Sequence, residues 1–265
     1  MPEATLNGVR LYYETHGQGP ALVFLHAMTL DHREWDDQVP AFRDRYTVIT
    51  YDQRGHGRSE SPETYGVEPD AADLEALLDY LGQPWAHLVG LSRGAAIAVA
   101  LALRRPARVR SLVLADPYIA GYEFQTPLSD PPFWKVARAQ GVEAARQVWL
   151  TAAPPMARAL ADPRLRPRIE AMVQAFSGQM WIKGGREPDH LSRLGEIAAP
   201  TLALAAEYDP LDFQRVADLA AERIPGARRV TLPEAGHLSN LENPAGFNQL
   251  VGGFLDTLEL AAPRA

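Results

Sequence analysis

The chain has 265 residues, of which 46% are hydrophobic, and its formal net charge is -7 at pH 7. This size and hydrophobic content predict one domain with a single large core, and the acidic balance argues against nonspecific binding to nucleic acid or a membrane surface. Because there is no cysteine, disulfides, thiolate catalysis and cysteine metal sites are excluded. No segment is typical of a signal peptide or a membrane span, so we expect a cytoplasmic protein.

Apolar runs and their spacing predict an N-terminal hairpin followed by alternating strands and helices. The pair Asn7-Gly8 is typical of a type I′ hairpin turn. We expect strands at residues 21–26, 46–51, 85–89, 109–115, 201–206 and 229–232, and helices at residues 69–81, 95–104, 213–224 and 244–260. Continuous apolar strands that alternate with helices favour an α/β fold, in which a mostly parallel central sheet carries helices on both faces.

Residues 118–193 interrupt this alternation with a mainly helical pattern that lacks strand runs. Such a pattern is typical of a helical cap inserted after a core strand. We therefore expect a core domain made of residues 1–117 and 194–265, and a cap made of residues 118–193. Four tryptophans are candidates for substrate binding, one near the first core strand and three in the cap: Trp35, Trp134, Trp149 and Trp181.

The segment Gly90-Leu91-Ser92-Arg93-Gly94 lies between a predicted strand and a predicted helix. This is the context in which G-x-S-x-G forms a nucleophile elbow, a sharp turn that exposes the serine hydroxyl at the end of a strand. The flanking glycines leave room for that turn. The alternative is a serine that merely caps the following helix. We expect Ser92 to be a nucleophile.

A serine nucleophile needs a base and an acid, and both candidates lie downstream. His237 lies on a polar loop after the last predicted strand, and a neutral imidazole can carry the serine proton. Asp209 follows the strand at residues 201–206 and precedes a proline, which fits the chain order Ser, Asp, His. Asp116 is the alternative acid, because it also follows a strand and precedes a proline. We expect Asp209 to be the acid that orients His237, with Asp116 kept as the alternative.

With these motifs in order, the chain resembles enzymes of the α/β-hydrolase fold, the group that includes small esterases, enol-lactonases and cofactor-free haloperoxidases or perhydrolases. The other motifs that carry the resemblance are Phe-Leu-His-Ala-Met at residues 24–28, Tyr-Asp-Gln-Arg-Gly-His-Gly-Arg-Ser at residues 51–59, and Gly236-His237. The resemblance implies that the backbone N–H groups of Met28 and Arg93 form an oxyanion hole.

Some dehalogenases and epoxide hydrolases have an aspartate where this chain has Ser92. A serine attacks an acyl carbon, so we expect hydrolysis of a carboxylic ester or lactone of small to medium acyl size. We expect no metal and no organic cofactor, a small-molecule ester or lactone as the partner, and neither nucleic acid nor membrane; the oligomeric state is open. The alternatives are a C–C bond hydrolase or perhydrolase with the same triad, and a ligand receptor that retains the fold.

Overall fold

A computed structural model of the chain describes residues 2–261. Over these residues one sheet contains eight strands: β1 (Glu3–Leu6), β2 (Val9–His16), β3 (Ala21–Leu25), β4 (Thr47–Tyr51), β5 (Ala86–Leu91), β6 (Val109–Ala115), β7 (Thr201–Ala206) and β8 (Arg228–Leu232). Their spatial order is β1-β2-β4-β3-β5-β6-β7-β8. Strand β2 is antiparallel to β1 and β4, and the other neighbours are parallel. The expected mostly parallel sheet is confirmed.

Helices connect the strands on both sides of the sheet. The α-helices of the described residues are α1 (Val39–Phe42), α2 (Val67–Tyr80), α3 (Arg93–Arg104), α4 (Phe133–Gln140), α5 (Val142–Ala152), α6 (Pro154–Ala161), α7 (Arg166–Ala175), α8 (Gln179–Lys183), α9 (Leu211–Arg223), α10 (Ser239–Glu242) and α11 (Pro244–Ala261). Short 3-10 helices lie at His32–Trp35, Pro106–Arg108 and Leu191–Glu196. The four predicted helices correspond to α2, α3, α9 and α11, with ends that differ by a few residues.

Strand β3 shows how the sheet buries both of its faces. Successive side chains of a strand point to opposite faces. Leu22 and Phe24 pack in one apolar cluster with Phe247 of α11. Val23 and Leu25 pack in the other cluster with apolar side chains of α2 and α3. Both faces of β3 therefore need apolar side chains, as expected for a parallel strand between two helical layers.

The first two strands form the predicted hairpin. Asn7 and Gly8 have φ angles of 49° and 76°, and a type I′ turn requires positive φ at both of its central residues. The hairpin places β2 beside β4 and so starts the sheet at one edge.

A helical insertion between β6 and β7 contains α4 to α8, and an irregular segment precedes its first helix. Residues 118–132 have no regular helix or strand. Prolines at positions 127, 131 and 132 lack the backbone N–H group that a helix would need over the second half of this segment. The helical part begins only at Phe133.

Several polar contacts fix the insertion to the rest of the molecule. The Trp149 indole N–H donates to Thr29 Oγ1 at 3.0 Å, and Arg168 Nη1 donates to Asp37 Oδ2 at 2.8 Å. The insertion thus contacts the segment after β3 from two of its helices. None of the helices in residues 2–261 combines the length and the apolar character needed to cross a membrane.

Candidate active site

Ser92 lies at a sharp turn between β5 and α3. Its backbone has φ 53° and ψ -114°, a combination that strains a residue with a side chain. A Cβ atom on Gly90 would lie 2.4 Å from the Gly94 carbonyl carbon, and a Cβ atom on Gly94 would lie 2.0 Å from the Leu25 carbonyl oxygen. Only glycine fits at both positions. The close approach of helix and strand holds Ser92 at the carboxyl end of β5.

His237 and Asp209 lie on loops that follow neighbouring parallel strands, β8 and β7. The Tyr208 N–H group donates to the Ala235 carbonyl oxygen at 2.9 Å, which ties the two loops together. His237 Nδ1 lies 2.8 Å from Asp209 Oδ1. This contact favours the neutral tautomer with a proton on Nδ1 and a free lone pair on Nε2.

The His237 ring is almost completely buried, with 5% of the residue exposed. The Phe213 ring packs against it with 4.0 Å between the ring centroids. This burial disfavours the charged imidazolium and lowers the pKa of His237 to about 4. The imidazole is therefore neutral at pH 7 and can accept a proton.

Asp116, the alternative acid, lies behind Asp209. Its Oδ1 atom accepts a hydrogen bond from the Ala206 N–H group at 2.7 Å, and its backbone is held at φ 43°. Complete burial is the main cause, and the nearby Asp209 carboxylate the second, of a pKa of Asp116 that is raised well above its ordinary value. The structure places Asp209 against His237 Nδ1, with Asp116 one step further from the ring.

A cavity of about 490 Å³ brings the candidate residues together. Ser92, His237, Met28 and Arg93 all line it. The rest of the wall is mostly apolar and aromatic, and consists of Ala27, Tyr118, Tyr122, Phe124, Pro127, Leu128, Ser129, Pro132, Phe133, Trp134, Trp149, Pro155, Met156, Glu187, Phe213 and Leu238.

The loop that carries Met28 is fixed on both sides of that residue. The Ala27 N–H group donates to Glu34 Oε2 at 2.8 Å, and Thr29 accepts the hydrogen bond from Trp149. Glu34 is completely buried, and this burial raises its pKa to about 8. The backbone around Met28 is thus held in place by a neutral acid and by a tryptophan of the insertion.

The structure separates the four candidate tryptophans into two groups. Trp134 and Trp149 line the cavity. Trp35 does not: it is completely buried in the core, with its ring 4.8 Å from that of Phe24. Trp181 is also buried, among aromatic rings behind the cavity wall. Proximity in sequence to the loop after β3 placed Trp35 near the site, but the 3-10 helix that carries it turns the indole into the core.

Sequence reasoning missed several residues of the cavity wall. Tyr118, Tyr122 and Phe124 lie in the irregular segment, where no periodic pattern indicates which way a side chain points. Phe213 lies four residues after Asp209, at the start of α9. That spacing was a usable signal, because the first turn of a helix opening from the acid loop must lie close to the acid.

Charged groups of the cavity wall are paired with one another. The Arg93 guanidinium forms an ion pair with the buried Asp70, and its Nη1 atom lies 3.6 Å from Glu187 Oε1. Asp70 also lies 3.8 Å from Arg54. Burial raises the pKa of Asp70 to about 6. Among the described residues of the wall, Arg93 therefore offers no net positive charge to a ligand.

One group of side chains has the composition of a metal site. Ligand atoms of Asp31, His32 and Asp52 lie within 4.8 Å of one another. Each already has a partner, because His32 Nδ1 contacts Asp52 Oδ1 at 2.7 Å and Arg33 Nε donates to Asp31 Oδ1 at 2.8 Å. These contacts give the group a structural role, because they hold the loop after β3 against the loop after β4.

Comparisons with known proteins agree with this geometry. A family model described as "Alpha/beta hydrolase family" matches residues 22–250. The chain belongs to the alpha/beta hydrolase family. This hydrolase is 30% identical over 264 residues to 3-oxoadipate enol-lactonase 2 of Acinetobacter baylyi, with 93% of each chain covered.

Solved structures with the same fold include enzymes named for lactones. The enol-lactonase from Burkholderia xenovorans LB400 matches the hydrolase with a TM-score of 0.81 and 28% identity, over 96% of this chain and 100% of that one. Est816, described as an N-acyl homoserine lactone degrading enzyme, matches with a TM-score of 0.82 and 30% identity, over 96% of this chain and 100% of that one. The expected α/β-hydrolase fold with its helical insertion is confirmed.

Proposed function

We propose that this hydrolase cleaves a carboxylic ester or a lactone of small to medium acyl size through an acyl-enzyme. The observation that carries the proposal is the 2.8 Å contact between His237 Nδ1 and Asp209 Oδ1, beside a cavity that Ser92 and His237 both line. A serine on a strained elbow, a neutral imidazole and an orienting carboxylate are the three parts that acyl transfer requires.

In the proposed reaction, Ser92 Oγ attacks the acyl carbon while His237 Nε2 takes the hydroxyl proton. Asp209 holds the ring and stabilises the imidazolium that forms. The tetrahedral oxyanion accepts hydrogen bonds from the backbone N–H groups of Met28 and Arg93. His237 then returns the proton to the leaving alkoxide, and water attacks the acyl-enzyme by the same route to release the acid and free Ser92.

Two features support the roles of the backbone donors. Arg93 is the first residue of α3. The N–H groups of the first helical turn have no partner within the helix and lie at the positive end of its dipole. Met28 lines the same cavity on a loop that is anchored at Ala27 and Thr29. Fixed donors of this kind contribute about 3 to 4 kcal/mol each to transition-state stabilisation.

The cavity supports the proposed acyl size. Its volume of about 490 Å³ is within the range of about 300 to 1,000 Å³ that is usual for small-molecule sites. The rings of Trp134, Trp149 and Phe133 line it and would pack against an apolar acyl or alcohol group. We propose Trp134 and Trp149 as substrate-binding residues on this basis.

The paired charges of the wall favour an uncharged substrate. Arg93 is neutralised by Asp70 and Glu187, so a carboxylate on the substrate would lose its water in an apolar cavity without gaining an unpaired cation. The Acinetobacter baylyi relative is named for an enol-lactone of 3-oxoadipate, a dicarboxylic acid that keeps one free carboxylate when the other closes the ring. We infer that this chain prefers esters and lactones without that second carboxylate.

The decisive test of the reaction is Ser92→Ala with 4-nitrophenyl butyrate as substrate. We expect kcat/KM to fall at least about 10⁴-fold with an unchanged melting temperature, and a fluorophosphonate probe to label the wild type but not the variant. Ser192→Ala, outside the cavity, is the matched control. Full activity of Ser92→Ala would refute the proposal.

Assays with a β-diketone and with peroxide plus acetate separate C–C hydrolysis and perhydrolysis from ester cleavage.

The charge preference is tested with two esters of equal length. 4-Nitrophenyl valerate ends in a methyl group where 4-nitrophenyl hemiglutarate ends in a carboxylate. We expect kcat/KM to be about tenfold higher or more for valerate, because the carboxylate is desolvated without a partner. Equal rates for the two esters would contradict the inferred preference and leave the proposed reaction standing.

A further inference from the structure

Asp116 and Asp209 form a pair of buried carboxyl groups behind His237. Their side chains are close enough to share a hydrogen bond, and the Ser239 hydroxyl is within hydrogen-bonding reach of Asp116. Asp116 follows β6 and Asp209 follows β7, while Ser239 lies two residues after His237. The pair therefore joins the ends of two neighbouring strands to the loop that carries the imidazole.

This pair has too few donors for two ionised carboxylates. Asp116 Oδ1 accepts from the Ala206 N–H group at 2.7 Å, and Asp209 Oδ1 contacts His237 Nδ1 at 2.8 Å. The other two oxygens, Asp116 Oδ2 and Asp209 Oδ2, are buried and make no hydrogen bond in the described part of the chain. Two adjacent charges would repel each other, and the one hydroxyl within reach, that of Ser239, could satisfy only one of the two acceptors. A single proton shared by the pair removes both problems.

We propose that Asp116 is a positioning residue that stays protonated and donates a hydrogen bond from its carboxylic acid to Asp209 Oδ2. Asp209 then carries the single negative charge of the pair and is held on both oxygens, by Asp116 on one side and by His237 on the other. The inference rests on the proposed function, because it assigns Asp209 as the acid that orients His237.

The surroundings explain why the proton lies on Asp116 rather than on Asp209. Both side chains are buried, but only Asp209 contacts the imidazole, which becomes cationic when Ser92 attacks. The negative charge of Glu242 also acts on Asp209 and disfavours two carboxylates in the pair. Burial raises the pKa of both carboxyl groups; the Asp209 charge raises that of Asp116 further, whereas the hydrogen bond with Asp116 lowers that of Asp209. The two groups titrate as a pair, so together they hold a single proton while the imidazole is neutral.

The proposal makes asparagine a close replacement for Asp116. An amide oxygen can accept from the Ala206 N–H group, and an amide N–H can donate to Asp209 Oδ2, as the neutral acid does. Leucine has a similar volume and can do neither. The two substitutions therefore separate the hydrogen bonds of Asp116 from its ability to carry a negative charge.

Kinetics with 4-nitrophenyl butyrate test this difference on the full-length chain. For Asp116→Asn we expect kcat/KM within about threefold of the wild type and the downfield proton resonance of His237 Nδ1 retained. For Asp116→Leu we expect kcat to fall about ten- to a hundredfold with little change in KM, because Asp209 loses a buried donor. Asp209→Asn is the reference and should lose about 10⁴-fold in kcat.

Infrared spectroscopy detects the proton without any assay. At pH 7 the difference between the wild type and Asp116→Asn should contain one carboxylic acid C=O stretch, and Glu34→Gln should remove a different one. Absence of the Asp116 band, or an Asp116→Asn variant as impaired as Asp209→Asn, would show that Asp116 is ionised and overturn the proposal. An Asp116→Leu variant with wild-type kcat would remove the positioning role. If Asp116→Leu fails to fold, the activity of Asp116→Asn and the infrared band still test whether Asp116 is protonated. Failure of the proposed function is a different result, because it would appear as full activity of Ser92→Ala.

Discussion

Glu34 Oε2 accepts a hydrogen bond from the Ala27 N–H group at 2.8 Å, inside the core and next to the residue proposed as an oxyanion donor. We predict that Glu34→Gln, which keeps the acceptor, retains kcat within about threefold. Glu34→Leu leaves the Ala27 N–H group unpaired and should lower kcat about tenfold or more, because a buried unpaired donor costs about 1–3 kcal/mol and loosens the loop that holds Met28. Turnover of 4-nitrophenyl butyrate measures both, and equal rates for the two variants would contradict this role of Glu34.

Glu34 should also make the free energy of unfolding depend on pH. Burial raises its pKa to about 8 in the folded chain, so the folded state holds a proton that the unfolded state releases near pH 4.5. The free energy of unfolding should therefore fall as pH rises through this window, by on the order of 3 kcal/mol between pH 5 and 8. Urea unfolding at the two pH values measures it. Glu34→Gln should lose this component, and an identical pH slope in wild type and variant would disprove it.

A lowered pKa of His237 predicts activity at acidic pH. Burial lowers this pKa to about 4, and the base must be neutral to accept the serine proton. We expect the acid limb of kcat/KM to have its midpoint below 6.5, the ordinary value for histidine. The same shift predicts that folding stability decreases as pH falls from about 6.5 towards 4, because the unfolded histidine takes up its proton first. A pH–rate profile from pH 4 to 9 tests this, and a midpoint above 6.5 would be inconsistent with it.

The elbow glycines should be intolerant of any side chain. A Cβ atom at Gly94 would lie 2.0 Å from the Leu25 carbonyl oxygen, so Gly94→Ala must push α3 away from β3. We expect a loss of about 3 kcal/mol or more in the free energy of unfolding, or failure to fold. Gly253→Ala is the matched control, since nothing lies within 4 Å of the added carbon and alanine favours the helix by about 0.5–1 kcal/mol. Thermal melts of both variants check the contrast.

Glu187 offers a way to change the charge preference. Its carboxylate lies 3.6 Å from Arg93 and lines the cavity. Glu187→Gln removes one of the negative charges that neutralise Arg93, so kcat/KM for 4-nitrophenyl hemiglutarate should rise about two- to tenfold while that for the valerate ester stays the same. Glu170→Gln makes the same change in net charge away from the cavity and should alter neither. A parallel rise with both esters would point to a cause other than charge.

Local sequence patterns predicted most of the sheet and the position of Ser92. The central parallel strands β3, β5 and β7 are mostly apolar and are buried along their whole length, and the elbow depends on glycines two residues before and after the serine. Both signals act over a few residues. They needed no knowledge of which strands are neighbours in space.

The parts that the sequence left open depend on contacts between distant segments. Asp116 and Asp209 have the same local context, a strand before and a proline after, and only the arrangement of β6, β7 and β8 places one of them against His237. Trp35 lies near the loop that carries Met28, but the direction of its side chain is set by packing against Phe24. No pattern along the chain specifies either outcome.

The contacts that join the insertion to the core limit how a substrate can reach Ser92. Trp149 bonds to Thr29 at 3.0 Å, and Arg158 on α6 bonds to Glu242 at 2.9 Å, next to the histidine loop. A hinged swing of the helices would break both and disturb the residues on either side of the nucleophile. Trp134 takes part in neither contact, and 40% of its surface is exposed. We therefore expect the substrate to enter past a rotated Trp134 side chain while the insertion stays in place above Ser92.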